Sequence, residues 1–123
     1  MKVALSLAGR GFRVFPLNAG AKDPLRTGWQ TAATADVFTV LNTWPAGAYN
    51  VGIATGRDFI VVDVDPKRGG LHFYFEAEPS MPVRNSVNKL GQGIDIRGYG
   101  GYVVGPGSII NAVTYEIERD FTA

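Results

Sequence analysis

Short apolar and alternating stretches dominate the middle of this chain. Residues 59–64 are apolar apart from Asp63 and rich in β-branched side chains, and residues 71–76 alternate Leu, Phe and Phe against His, Tyr and Glu. Runs of this length and composition are typical of strands. Further strands are predicted at residues 12–17, 51–54, 93–97, 101–105 and 114–119. The glycine-rich residues 98–101 predict a tight turn.

Two other stretches have helical spacing. Apolar residues recur at positions 3, 4, 7 and 8, and Gly9 and Gly11 then end the predicted helix. In the second stretch they recur at positions 37, 40, 41 and 44, with Thr34 as the predicted N-cap and Pro45 as the terminator. The pattern therefore predicts a mixed α/β (α+β) fold with a mostly antiparallel sheet and two or more helices.

Length and composition limit the classes of protein to which this chain can belong. At 123 residues the chain is expected to form one domain over residues 1–123, and its net charge of +1 gives no global attraction to nucleic acid or membrane. The absence of cysteine excludes disulfides and thiolate metal sites. No apolar run approaches the length of a membrane span, and residues 3–8 are too short for a signal core. A cytoplasmic location, with no membrane partner, is the default expectation.

The strongest chemical signal is a pair of aspartates at the end of a buried strand. Asp63 and Asp65 occupy alternate positions and so share a face, about 6–7 Å apart at the backbone. Their repulsion would cost about 2–3 kcal/mol at an effective dielectric of 20. A divalent cation with oxygen ligands, Mg²⁺ or Mn²⁺, would turn that repulsion into attraction. The alternative is a solvated strand end, or carboxylates that cap backbone amides.

Two later strands add candidate partners. His72 is the single histidine and follows Gly69 and Gly70, which would let the backbone approach a phosphate closely. A histidine beside a metal-bound triphosphate would donate a hydrogen bond to it; the alternative is a structural histidine. Asp95 lies between two isoleucines and shares its side of the strand with Arg97, so it is either a metal ligand or one half of an ion pair.

Two polar residues elsewhere are weaker candidates. Lys22 lies in a loop where it would reach a phosphate or remain solvated, and Asn50 would bind a ribose or cap a turn. Trp29 and Trp44 are expected to pack in the core or a lid rather than to stack on bases.

Taken in order, these segments resemble the bifunctional DNA primase/polymerase N-terminal domain, the prim-pol branch of the archaeo-eukaryotic primase superfamily. The resemblance covers nearly the whole chain and includes segments at residues 11–17, 22–24, 28–29, 50–56, 61–65, 69–75, 93–98 and 100–104. It implies a small α/β domain whose catalytic sheet resembles an RNA-recognition motif.

The resemblance also implies roles for individual residues. The family's motif of two acids would fall on Asp63 and Asp65, and its third acid on Asp95, so that these three hold catalytic Mg²⁺ or Mn²⁺. His72 would contact the phosphates of the incoming nucleotide. Weaker assignments for nucleotide or template contact fall on Arg97, Lys22 and Asn50.

One departure from the family lies between the first two motifs. A helix and a strand usually separate them, whereas here residues 66–70 join Asp65 directly to Leu71, as if the interval were deleted. A hairpin is therefore predicted. If Asp65 opposes His72, the histidine joins the aspartates; if Asp65 opposes Leu71, His72 points to the other face. The deletion would also uncover a flank of the sheet and an unpaired edge.

The implied function is that of a DNA primase/polymerase. The enzyme would be a metal-dependent nucleotidyltransferase that adds nucleotides from NTP or dNTP to a 3′-hydroxyl on a DNA template. By resemblance it would work beside a replicative helicase in a mobile-element replication system. The alternative is a catalytically weak or inactive remnant that binds nucleotide or single-stranded DNA.

Overall fold

The computed structural model describes residues 1–64, 70–77, 83–87 and 93–117. Within them, the helices are α1 (Lys2–Gly9), α2 (Trp29–Ala32) and α3 (Val37–Thr43). The strands are β1 (Val14–Leu17), β2 (Asn50–Ala54), β3 (Phe59–Val64), β4 (Leu71–Glu76), β5 (Ser86–Val87), β6 (Ile94–Arg97), β7 (Tyr102–Val104), β8 (Ile109–Ile110) and β9 (Val113–Thr114).

The strands form three sheets. The largest has the order β4-β3-β6-β5, a second has the order β1-β2-β7, and β8 pairs with β9. Each strand pair whose register is described is antiparallel. The predicted α/β class with mostly antiparallel pairing is confirmed.

The chain divides into two compact units, residues 1–53 with 104–123, and residues 54–103. The first unit has a conventional apolar core, because α1 packs against α3 and β1. Leu17, Val14 and Ile53 are almost fully buried there. In this unit the ring of Phe15 stacks on Trp29 with centroids 4.6 Å apart, beside a cavity of about 40 Å³ that Trp44 also lines. Both tryptophans therefore contribute to packing.

The start of α3 differs from the prediction. Asp36, and not Thr34, is the N-cap, because its Oδ1 accepts a hydrogen bond of 3.1 Å from the backbone N–H of Phe38. Thr34 instead accepts a hydrogen bond from the N–H of Asp36 through its Oγ1. Aspartate and threonine are both preferred N-cap residues, so only the backbone geometry determines which of the two caps the helix.

Several element boundaries also differ. The last predicted strand, over residues 114–119, is much shorter in the structure: β9 ends at Thr114, and residues 115–117 belong to no strand. The short elements α2, β5 and β8 were not predicted. With two to four residues each they are too short for a periodic pattern, and the two strands are defined by their pairing with β6 and β9.

The second unit contains the four-stranded sheet and the predicted turn. The N–H of Gly101 donates a hydrogen bond of 3.1 Å to the carbonyl of Gly98, which closes the turn. Gly98 lies so close to the carbonyl of Val83 that a Cβ at this position would overlap it. A glycine is therefore required where the chain leaves β6. Among the described residues, no helix is both long and apolar enough to span a bilayer.

Candidate functional site

Three predicted site residues lie in one row across the four-stranded sheet. Asp63 on the central strand β3 is directly opposite His72 on β4 and directly opposite Asp95 on β6. Residues directly opposed in antiparallel strands share a face, with Cβ atoms about 4.5–5.5 Å apart. The sheet therefore brings an imidazole and two carboxylates together, and we call His72, Asp63 and Asp95 the site row.

Asp63 is at the centre of the site row and contacts the histidine. His72 Nε2 lies 3.5 Å from Asp63 Oδ1, and the two side chains are about one-fifth exposed, at 19% and 22%. This distance is longer than a direct hydrogen bond of 2.7–3.2 Å. The contact is therefore electrostatic, and it is an ion pair when the imidazole is protonated.

Asp95 has a basic neighbour on its own strand. Arg97 Nη2 lies 3.5 Å from Asp95 Oδ2, with the two side chains 33% and 24% exposed. Two residues apart on β6, they point to the same face. The structure therefore contains the ion pair that the sequence analysis gives as one alternative for Asp95. It does not exclude a ligand role, because a carboxylate has a second oxygen.

Tyr74 is a further residue of this face that the sequence analysis did not single out. It lies two positions after His72 on β4, and the two rings are tilted with centroids 6.4 Å apart. Burial raises the pKa of the Tyr74 phenol well above its usual value, and the negative charge of Asp63 raises it further. Strict alternation along residues 71–76 was the available signal, since it puts Tyr74 and His72 on one side.

Gly70 borders the carboxylate of Asp63. A Cβ added at Gly70 would lie 3.8 Å from Asp63 Oδ1 and 3.7 Å from the carbonyl of Val64, which are ordinary contact distances. A side chain at this position would therefore lie directly against the carboxylate of Asp63. Gly69 lies outside the described residues.

The donor set is suited to a hard divalent ion, although only part of it is described. Asp63 and Asp95 offer carboxylate oxygens from adjacent strands, and oxygen ligands are those that Mg²⁺ and Mn²⁺ prefer. Asp65, the predicted second acid, lies outside the described residues. Within the described ranges, no three histidine or acidic side chains form a group that would hold a metal by themselves.

The observed register differs from both alternatives considered for the hairpin. Asp63, and not Asp65, opposes His72, and Val64 opposes Leu71. The difference from the first alternative is two residues. Since side chains alternate with a period of two, His72 stays on the face of Asp63.

The two remaining predicted residues belong to the first unit. Asn50 is buried, and its side-chain amide donates to the carbonyls of Ala21 and Ile109 at 3.0 and 2.9 Å. Its Oδ1 accepts from the N–H of Ile109 at 2.9 Å. These contacts give Asn50 a structural role, and nucleotide contact by Asn50 stays a prediction. Lys22 is exposed in its loop, so its contact with phosphate also stays a prediction.

Comparison with known protein families identifies one match. The sequence model described as "Bifunctional DNA primase/polymerase, N-terminal" matches residues 4–70 and residues 66–122. The two matched segments overlap at residues 66–70, between β3 and β4, and together cover almost the whole chain. No curated protein and no solved structure matches the chain significantly.

Proposed function

This chain belongs to the bifunctional DNA primase/polymerase N-terminal family, and from that premise we propose that it is a metal-dependent nucleotidyltransferase of the prim-pol type. It would add nucleotides from NTP or dNTP to a 3′-hydroxyl paired with a DNA template.

One observation carries this proposal. The site row sets two carboxylates and an imidazole side by side on three adjacent strands, and the resemblance to the family assigns its acidic and histidine motifs to these residues. Like charges that face each other across strands destabilise a sheet. The arrangement of Asp63 opposite Asp95 is therefore better suited to holding a cation than to stabilising the fold.

Each member of the site has a separate role in the proposal. Asp63 and Asp95, with Asp65, would hold Mg²⁺ or Mn²⁺, which supplies charge stabilisation to the attacking and leaving oxygens. His72 would donate a hydrogen bond from its imidazole to a phosphate oxygen of the incoming nucleotide. Arg97 adds positive charge beside Asp95, where it would pair with a second phosphate oxygen.

The reaction is an in-line displacement at phosphorus. The 3′-hydroxyl oxygen forms a bond to the α-phosphorus, the bond from that phosphorus to the bridging oxygen breaks, and pyrophosphate leaves with the electron pair. The proton of the hydroxyl passes to solvent or to a nearby base. Since the protein forms no covalent bond to the substrates, it would contribute by positioning them and by stabilising the charge of the transition state.

The test is primer extension with labelled dNTP and Mn²⁺. We expect extension by the wild-type chain, no extension after EDTA treatment, and a loss of roughly a hundredfold or more in Asp63→Asn and Asp95→Asn. Glu76→Gln is the matched control, because Glu76 lies on the same face at the far end of β4, opposite Phe59. It removes the same charge and should leave extension nearly unchanged.

Two results would count against this proposal. The first is a folded wild-type chain that does not extend a primer with Mg²⁺ or Mn²⁺. The second is equal loss of extension in Glu76→Gln and Asp63→Asn, since the effect would then follow the net charge of the sheet and not the site row.

A second candidate function has its own support. Each acid of the site row already has a basic neighbour at 3.5 Å, His72 for Asp63 and Arg97 for Asp95. Arg97 offsets the negative charge of Asp95 without a metal ion, and His72 would offset that of Asp63 when its imidazole is protonated. This observation favours a module that binds nucleotide or single-stranded DNA without catalysis. Such a module would bind a labelled oligonucleotide without divalent ions, and the affinity would fall steeply with salt.

A further inference from the structure

The small cavity of the first unit lies beside three aromatic rings, and we call it the aromatic cavity. Phe15 and Trp29 form a stacked wall with ring centroids 4.6 Å apart, and Trp44, the C-terminal cap of α3, lines the cavity as well. Its volume of about 40 Å³ is little more than the roughly 30 Å³ that one water molecule occupies in the liquid. It therefore has room for one compact group and not for a whole nucleobase.

Trp44 brings a buried hydrogen-bond donor to the aromatic cavity. Its side chain is only 9% exposed, and its Nε1 is buried with no hydrogen-bond partner among the described residues. The two threonines of the lining already use their hydroxyls. Thr43 Oγ1 donates to the carbonyl of Thr39 at 2.7 Å, and Thr34 Oγ1 accepts from the backbone N–H of residue 36 at 3.0 Å. Because buried donors in native proteins are almost always paired, we expect the acceptor to come from a group that enters the cavity.

The mouth of the aromatic cavity is accessible and positively charged. Arg26, Ala32 and Thr43 line the cavity and are exposed, so a ligand can reach it from solvent. Among the described residues that line it, none is acidic. The guanidinium of Arg26 would therefore favour a ligand that carries a carboxylate beside the inserted group.

We propose that the aromatic cavity is a docking site for a short acidic, proline-containing segment of a partner protein. The edge of one prolyl ring enters between Trp29 and Trp44, and a peptide carbonyl next to that ring accepts the hydrogen bond from Trp44 Nε1. An acidic side chain of the segment pairs with Arg26. The site uses no residue of the site row, so it adds a binding activity to the proposed nucleotidyl transfer.

Three physical arguments favour a proline-containing segment over other occupants. The carbonyls of a helix or a sheet are already bonded, whereas a polyproline II segment has no internal hydrogen bonds and its carbonyls can accept from Trp44. The prolyl ring is compact and apolar, and proline-rich segments dock in grooves lined by aromatic side chains. A phosphate, by contrast, would lose its hydration among apolar walls.

The contacts set a modest affinity. One neutral hydrogen bond, one partly inserted ring and one exposed ion pair each contribute little. We therefore expect a dissociation constant on the order of 0.1 mM.

Two-dimensional ¹H–¹⁵N NMR of the whole chain tests the proposal, because the chain has two tryptophans and hence two indole N–H signals. The probe is the peptide acetyl-Glu-Pro-Pro-Glu-Pro-Pro-Glu-amide. It should move the Trp44 signal saturably to lower field, as formation of a hydrogen bond requires. A control peptide in which alanine replaces every proline has the same charge and should bind roughly tenfold more weakly.

Variants separate the contacts of the proposed complex. Trp44→Phe keeps a ring and removes the N–H, and it should weaken peptide binding roughly tenfold. Ala32→Leu should do the same by filling the mouth of the cavity, and because Ala32 is exposed it serves as the test if circular dichroism shows Trp44→Phe to be unfolded. Arg26→Gln should weaken binding roughly threefold. Arg57→Gln is the matched control, since Arg57 is exposed in the second unit and its substitution should leave binding unchanged.

Four results would overturn the proposal. The first is a Trp44 signal that does not move with up to about 5 mM peptide. The second is equal binding of the alanine peptide, which would exclude recognition of proline. The third is unchanged affinity in Ala32→Leu, which would exclude the cavity. The fourth is a Trp44 signal that moves with a single-stranded oligothymidylate and not with the peptide, which would assign the cavity to nucleic acid.

Discussion

Asp63 is the residue that connects the other two members of the site row. It is the member of the site row that is adjacent to both of the others, so it depends on two strand registers at once. The sequence places it at the end of an apolar strand but contains no local signal for its two neighbours. Its separation of 3.5 Å from His72 is a property of the sheet and not of either strand.

Tyr74 provides a prediction for alkaline pH. Because its pKa is raised in the folded chain by burial and by Asp63, the unfolded chain releases the phenol proton first as the pH rises above about 10. The stabilisation is complete below that pH and is lost above it. The free energy of unfolding should fall with a slope of up to about 1.4 kcal/mol per pH unit from this group.

Urea unfolding of the wild-type chain and Tyr74→Phe between pH 8 and pH 11 measures this contribution. The variant lacks the phenol, so its curve should be shallower above about pH 10. Parallel curves over the whole range would show that Tyr74 is accessible to ionisation in the folded chain.

Asn50 provides a second prediction at this scale. Its side chain makes hydrogen bonds to three backbone groups of Ala21 and Ile109, and Asn50→Ala removes all three of these part-buried bonds. We expect a loss of roughly 3 kcal/mol in the free energy of unfolding. Asn42→Ala, at an exposed position of α3, is the control and should change it by less than about 0.5 kcal/mol. A stable Asn50→Ala that loses nucleotide affinity would instead indicate a binding role.

At the scale of elements, the hairpin of β3 and β4 decides whether the site exists. The alternating pattern of residues 71–76 predicts β4 with its observed bounds, and the apolar run predicts β3 equally well. The sequence allows two alternatives for their relative register, and the structure has a third. Register depends on the geometry of the connection and on packing of both faces, which neither strand encodes alone.

The β8–β9 hairpin allows a test of turn chemistry. Its two-residue loop has positive φ at both positions, 51° at Asn111 and 62° at Ala112. This is the geometry of a type I′ turn, in which Asn-Gly is preferred because alanine is strained at positive φ. Ala112→Gly should therefore stabilise the chain by about 1 kcal/mol in urea unfolding.

The control for this turn is Ala48→Gly. Ala48 is exposed and is not among the described residues with positive φ. At position 48, glycine gives the unfolded chain more conformational freedom, so Ala48→Gly should lower the free energy of unfolding slightly. Equal effects of the two substitutions would argue against a strained turn.

At the scale of the whole molecule, the chain forms two units with different kinds of packing. The first has a core of helix and sheet residues that length and hydrophobic periodicity predict well, since α1 and α3 follow the helical spacing closely. The second consists largely of the four-stranded sheet and its turns, and Leu71, Phe73 and Phe75 on its strand β4 are about half exposed. One domain over residues 1–123 stays a prediction.

The α/β class, the main strands and helices, and the family all follow from the sequence, because they depend on local periodicity and on motifs in linear order. The sequence also indicates Asp63, Asp65, His72 and Asp95 as one candidate site, with Arg97, Lys22 and Asn50 as weaker candidates. Three features are seen only in the folded chain: Asp63 lies between His72 and Asp95, Arg97 pairs with Asp95, and Asn50 is bonded within the first unit. The physical reason is that strand register and long-range hydrogen bonds depend on packing between residues distant in sequence, whereas periodicity is read within one segment.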